Sequence, residues 1–185
     1  RWGKNNISLI KKSETQIAQL GVGRKFQKPT VLEYQTVEEN LMISLKNSRG
    51  LIQTLIYKYT EEEFTRVNEV AKLIKLNKIL NKIAGELSHG QKQWLEIGML
   101  LAQDPSLLLV DEPAAGMTNS ERTDTATLLK ELSKTRSVVV VEHDMDFIRQ
   151  LNCKVTVLHE GSVLAEGNLD HVSKDNKVIE VYLGR

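Results

Sequence analysis

Two uninterrupted apolar runs, residues 107–110 and 138–141, stand out in a chain whose hydrophobic positions otherwise recur every three or four residues. Each run is strand-length and ends in acids, as expected of strands buried on both faces. Val37, Leu41 and Leu45 share one helical face and predict a helix over 37–46. Phe64, Val67, Val70 or Ala71, and Ile74 repeat the same period and predict another. Ser13-Glu-Thr-Gln16 and Thr60-Glu-Glu-Glu63 are capping boxes, in which the hydroxyl and the third residue each satisfy one orphan amide. The first opens a short helix to Leu20, and the second opens the helix carrying Phe64. A denser helix runs from Ser88 to about 103; it is apolar on most sides (Trp94, Leu95, Ile97, Met99, Leu100, Leu101) and is expected to be buried. Helices are predicted near 120–134 and after Asp144, a strand over 21–26, and a hairpin of 154–158 with 162–166 around Glu160-Gly161. Residues 1–6 are polar and 47–59 have no clear period. Buried strands alternating with helices imply a parallel α/β sheet. No internal repeat or low-complexity linker is present.

Composition narrows this picture. The 185 residues suffice for one domain with a real core. Twenty-five basic residues face twenty-four acidic ones, which argues against nucleic acid as a partner. The single cysteine, Cys153, excludes an internal disulfide framework and fits a reducing compartment; as a small apolar residue it is expected to be buried. No stretch approaches the roughly 20 apolar residues that span a bilayer, and the N-terminus has no secretory core. The expectation is a cytoplasmic chain that reaches a membrane only by docking.

Candidate chemistry gathers at strand ends. In an open parallel sheet, ligands sit at the carboxyl edge. The strand Leu107-Leu-Leu-Val-Asp-Glu-Pro113 delivers two acids there. Asp111 is suited to hold Mg²⁺, and Glu112 to act as general base on a water. Taken alone, two solvated acids before a proline turn fit equally well. Upstream, Leu87-Ser-His-Gly-Gln91 places Ser88 and Gln91 at capping-box spacing, making a helix N-terminus, a natural anion site. Gly90 permits close approach of a phosphate; an isolated cap would more simply be an ordinary cap. His143 follows the second apolar strand, where it can bond a phosphate or orient water, though a lone histidine is more often structural. Gln27, after a strand and before Pro29, offers an amide to a metal or a water.

The order Gln27, LSHGQ, LLLVDEP and EHD resembles the ATP-binding cassette (ABC) ATPases, from about residue 20 to 185. The resemblance implies a phosphate-loop NTPase fold, with a parallel core sheet and a helical subdomain at about 34–103; residues 1–33 and 104–185 form the remaining catalytic core. It implies Gln27 as the Q-loop, Ser88, Gly90 and Gln91 as signature residues that touch nucleotide, Asp111 as the Walker B metal acid, Glu112 as catalytic base and His143 as switch histidine. ATP and Mg²⁺ are the implied ligands, and a second ATPase subunit, head to tail, and membrane permease subunits the implied partners. The permeases would meet residues 29–47, and the subunit would sit peripherally on the cytoplasmic face of the inner membrane. Asp111-Glu-Pro-Ala-Ala-Gly-Met117 is similar to importers of branched-chain amino acids and urea. Gly23-Arg-Lys-Phe-Gln-Lys-Pro-Thr30 and the stretch from Ser88 through Met99 resemble the urea group, as does the ending VIEVYLGR.

The departures from that pattern are informative. His89 stands where the family usually has glycine, and Thr118 where many members have aspartate. The motif G-x-x-x-x-G-K-[ST] does not occur in these 185 residues. Gly21-Val-Gly23 precedes a strand rather than a helix and reads as backbone packing, not as a phosphate cradle. The adenine-stacking aromatic of the family is also missing. The expectation is therefore an N-terminally incomplete domain, lacking a strand beside residues 138–141, marginal by itself and without activity of its own. The rival is a docking or regulatory piece that binds no ATP.

Overall fold

The computed structural model describes residues 7–25, 30–46 and 59–183. Capping boxes at Ser13–Gln16, Thr36–Glu39, Thr60–Glu63, Ser88–Gln91 and Thr118–Glu121 open five helices: α1 (Glu14–Gln19), α2 (Val37–Ile43), α3 (Glu61–Leu73), α4 (His89–Ala102) and α5 (Asn119–Ser133). In each, the cap hydroxyl accepts the amide three residues on while that residue's side chain reaches back. The helix predicted over 37–46 stops at Ile43. The Ser44 hydroxyl donates to the Asn40 carbonyl, and its amide bonds Leu41 three residues back, tightening the last turn.

Strands β1 (Val22–Lys25), β2 (Leu107–Asp111) and β3 (Ser137–Val141) form a parallel sheet in that order. Val22 lies opposite Leu107, and Asp111 opposite Val141. Helix α6 (Met145–Leu151) follows β3, capped by Asp144. Strands β4 (Val155–His159) and β5 (Ser162–Gly167) pair as an antiparallel hairpin. Its turn residues Glu160 and Gly161 both have positive φ, matching the strand twist. Helices α7 (Leu169–Val172) and α8 (Asn176–Leu183) close the described chain.

One core joins α2, α3, α4, β2, α5 and α6 through Leu41, Val70, Leu95, Leu108, Leu129 and Phe147. Val157, Val172 and Val178 form a smaller cluster under the hairpin. Gly23 is buried against Pro105, where a Cβ would meet a ring carbon at 3.2 Å. Gly21 has φ +86 and its carbonyl accepts the Ser106 and Leu107 amides, so this glycine pair packs and turns the backbone, as expected.

Two expectations need correction. The 138–141 run is not buried on both faces: Val138 and Val140 face the core, whereas Val139 and Val141 are 49% and 61% exposed. Their same-face neighbours on β2, Leu109 and Asp111, are also only half-buried, so among the described residues that face of the sheet carries no packed layer. Cys153 is exposed rather than buried, because it lies in the connection after α6, beyond Asn152 in the left-handed conformation.

Candidate active site

Parallel register brings the carboxyl ends of β2 and β3 together, so the acids after each strand face one another. Asp111, the last residue of β2, is partly buried. Glu112 follows with φ +44, a left-handed conformation costing a non-glycine residue about 1–2 kcal/mol. Its amide donates to the Val141 carbonyl at 2.9 Å and so continues the ladder. Glu112 Oε1 lies 3.4 Å from His143 Nδ1, with the histidine side chain 78% exposed.

Glu142 braces the same edge. Its carboxylate accepts the Ala114 amide at 3.0 Å from the β2 side and the His143 amide at 3.1 Å from its own. Asp144 caps α6 by accepting the Asp146 and Phe147 amides, and pairs with Arg122 at 2.7 Å. Glu142 lay in the EHD motif without a role of its own and Arg122 had no distinct signal, since their partners are met only when the end of β3 comes beside the end of β2 and beside α5.

The signature segment docks against the turn that follows Glu112. The Ser88 hydroxyl accepts the Gln91 amide at 3.2 Å, and the Gln91 side chain accepts the Ser88 amide at 3.1 Å. Ser88 Oγ also donates to Glu121 Oε1 at 3.4 Å. His89 Nε2 lies 3.1 Å from the Ala115 carbonyl, a contact that requires the proton on Nε2. At Gly90 a Cβ would come within 2.3 Å of Glu121 Oε1, so the glycine admits a carboxylate of the same chain. The Thr118 amide and hydroxyl hold the Glu121 carboxyl below its ordinary 4.5, with smaller help from Ser88 and His89. Glu121 was legible as the fourth residue of the Thr118 capping box.

The structure thus gathers Asp111, Glu112 and His143 at one sheet edge. It places Ser88, His89 and Gly90 against residues 115–121, with Gln91 bonded to Ser88. Gln27 lies outside the described residues. Among the described residues no group of three or more His, Cys, Asp or Glu is placed to hold a metal. One edge carboxylate, Asp111, fits Mg²⁺, which typically takes one or two carboxylates and completes its shell with water and substrate phosphates.

The ABC transporter family model matches residues 3–115. The chain belongs to the ABC transporter family. It is an ATP-binding subunit of the ABC ATPase type, and its α/β architecture is that of phosphate-loop NTPases. A probable branched-chain amino acid transport ATP-binding protein, LivG of Methanocaldococcus jannaschii, is 31% identical over 97% of this chain and 74% of its own length. BraF of Pseudomonas aeruginosa, a high-affinity branched-chain amino acid transport ATP-binding protein, is 30% identical over 91% of this chain and 70% of its own. Among solved structures, an ATP-binding cassette of an ABC transporter in its ADP conformation superposes with TM-score 0.77 at 30% identity, covering 94% of this chain and 72% of that one. A nucleotide-free ATP-binding cassette gives TM-score 0.78 over similar spans.

Proposed function

We propose that this chain is the motor of an ABC importer, with Glu112 the base that activates water for ATP hydrolysis. The observation that carries the reading is the Glu112–His143 pair, 3.4 Å apart beside Asp111 at the carboxyl edge of a parallel sheet. Water attacks the γ-phosphorus, the bond to the β–γ bridging oxygen breaks, and ADP leaves. Glu112 accepts the water's proton, and His143 orients Glu112. Asp111, with Gln27, would hold Mg²⁺, which when bound neutralises charge on the phosphates. Ser88, Gly90 and Gln91 serve the nucleotide of the partner subunit in a head-to-tail dimer, through the N-terminus of α4. Glu112→Gln in the assembled transporter is expected to keep nucleotide binding and lose turnover by about 10²–10⁴-fold, the range of general-base catalysis. Near-normal turnover would show that the base is another group.

The site needs a glycine-rich phosphate loop, and none occurs in these 185 residues. Among the described residues β3 has no strand on its far side, so its outer edge can accept a further parallel strand. By themselves these 185 residues are accordingly inactive. A piece that never binds ATP is the second reading, favoured by that missing motif. A nucleotide titration beside a phosphate-release assay, on the 185 residues and on the transporter, separates the two.

Coupling to the membrane falls to residues 30–46, most of them in the helical subdomain of about 34–103. Tyr34 is 93% exposed, with Leu32 and Ile43 also solvent-facing. The buried Asn40 side chain holds this loop in shape, accepting the Leu32 amide at 2.8 Å and donating to the Leu32 and Thr36 carbonyls. Gly85 and Ala84 donate their amides to the Glu33 and Gln35 carbonyls from the other side. A rigid loop presenting an aromatic suits a permease on the cytoplasmic face of the inner membrane. Tyr34→Asp should impair transport more than basal hydrolysis, and equal loss of both would displace the docking surface. Among the described residues no helix is long and apolar enough to cross a membrane.

The transported solute is read as urea, on the stretches 23–30 and 88–99. Branched-chain amino acids are the second reading, supported by the names of the relatives LivG and BraF. Uptake of labelled urea and labelled leucine by cells with and without the transporter distinguishes them.

A further inference from the structure

Two charges are buried together where β1 meets α4. Lys25, the last residue of β1, and Glu96, two turns into α4, are each 3% exposed. Their charged atoms lie 3.5 Å apart. Glu96 Oε1 also accepts the Thr30 amide at 2.5 Å and the Thr30 hydroxyl at 3.3 Å. Oε2 has no hydrogen-bond partner among the described residues and faces the Lys25 ammonium.

Stability is a weak reason for such a pair, since desolvating two charges costs about what their attraction returns, and an apolar pair of the same volume often does as well. Position is the stronger reason. Lys25 and Thr30 bracket residues 26–29, and one carboxylate, projecting from the helix that begins at Ser88, holds both brackets. An apolar side chain could fill the space, but it could not accept the Thr30 amide and face an ammonium at once.

We propose that Glu96 is a positioning residue: it ties the end of β1 and Thr30 to the signature helix, so that these parts shift together rather than independently. The geometry stands on the structure alone; only its consequence for turnover rests on the ATPase reading above. The carboxylate is a clasp between the strand edge and the helix that carries Ser88.

The test uses the full chain, with Glu96→Ala, Glu96→Gln, Lys25→Met and the double variant Lys25→Met/Glu96→Gln, read by hydrogen exchange of single amides and by urea midpoints. In Glu96→Ala the Thr30 amide is expected to exchange about tenfold faster or more, as for loss of a charge-assisted bond. Glu96→Gln, which keeps an acceptor oxygen, should restore most of that protection, and Glu86→Ala, on an exposed residue, should change nothing. An unchanged Thr30 amide in Glu96→Ala, or no rescue by glutamine, would overturn the proposal. Should Glu96→Ala fail to fold, the double variant decides. Less destabilised than the sum of its two single changes, it supports the clasp; strict additivity refutes it. In the assembled transporter, Glu96→Ala should lower kcat about tenfold with KM for ATP little changed, a positioning effect, and Glu96→Gln should recover most of that loss. A loss confined to KM would count against the clasp. No turnover in the unaltered transporter would fault the ATPase reading, leaving the exchange result to decide the clasp.

Discussion

A methyl group added at Gly98 would sit 2.5 Å from Ile74 Cδ1 and 3.0 Å from Leu41 Cδ2, two side chains with almost no exposed surface. Alanine gains about 1 kcal/mol of helix propensity over glycine. Overpacking a full core costs about 1–3 kcal/mol, so the steric term decides. Gly98→Ala is expected to destabilise, by a net of about 1 kcal/mol, read as a lower urea midpoint with unchanged slope. A gain in midpoint would mean that α3 yields to α4 more easily than its burial suggests. Gly90 is the contrasting case. There the obstacle is the end of the Glu121 side chain, which can rotate away, so Gly90→Ala should cost less stability than Gly98→Ala. It should also break the Ser88–Glu121 contact.

At the scale of elements, α5 depends on its N-terminal box. Thr118→Ala should cost about 1 kcal/mol at neutral pH, the usual value of a cap. Glu121 adds a pH signature, because its folded carboxyl titrates below its ordinary 4.5. A lowered carboxyl contributes stability above the unfolded value and loses it as pH falls through the folded one. The difference between the unaltered chain and Glu121→Gln should therefore be full at pH 7 and shrink below about 4.5, modestly, because surface charges are screened. Urea midpoints at several pH values check this; a difference that grows in acid would contradict it. Elements were the most legible level of the sequence. The boxes at Ser13, Thr60 and Ser88 placed their helices to within a residue or two, and the Glu160-Gly161 turn placed the hairpin. The equivalent signals at Thr36 and Thr118 were just as readable from residue types.

For the whole molecule, the edge that β3 forms among the described residues has the largest consequence. Unpaired strand edges carrying exposed valines template association. Val139→Lys or Val141→Lys in these 185 residues should reduce self-association, measured by light scattering, while changing the thermal midpoint little, since both side chains are already largely solvated. If scattering stays the same, association runs through another surface. The candidate site was legible in part. Asp111, Glu112 and His143 could be named because strand ends announce themselves by an apolar run closed with polar residues. Glu142, Arg122 and Glu96 could not be assigned their long-range partners, nor Glu121 its contact with Ser88, because each pairing joins segments 22 to 66 residues apart in sequence.

The order of elements, the parallel sheet, the family and the edge acids followed from the sequence alone, because they rest on local periodicity and on motifs whose chemistry is carried by residue type. Tertiary structure alone decided which carboxylates meet which partners: Glu112 with His143, Glu121 with Ser88, and Glu96 with both Lys25 and Thr30. It also decided that two valines of an apolar run face solvent. Burial and pairing depend on what packs across the chain, and a local pattern holds no record of that.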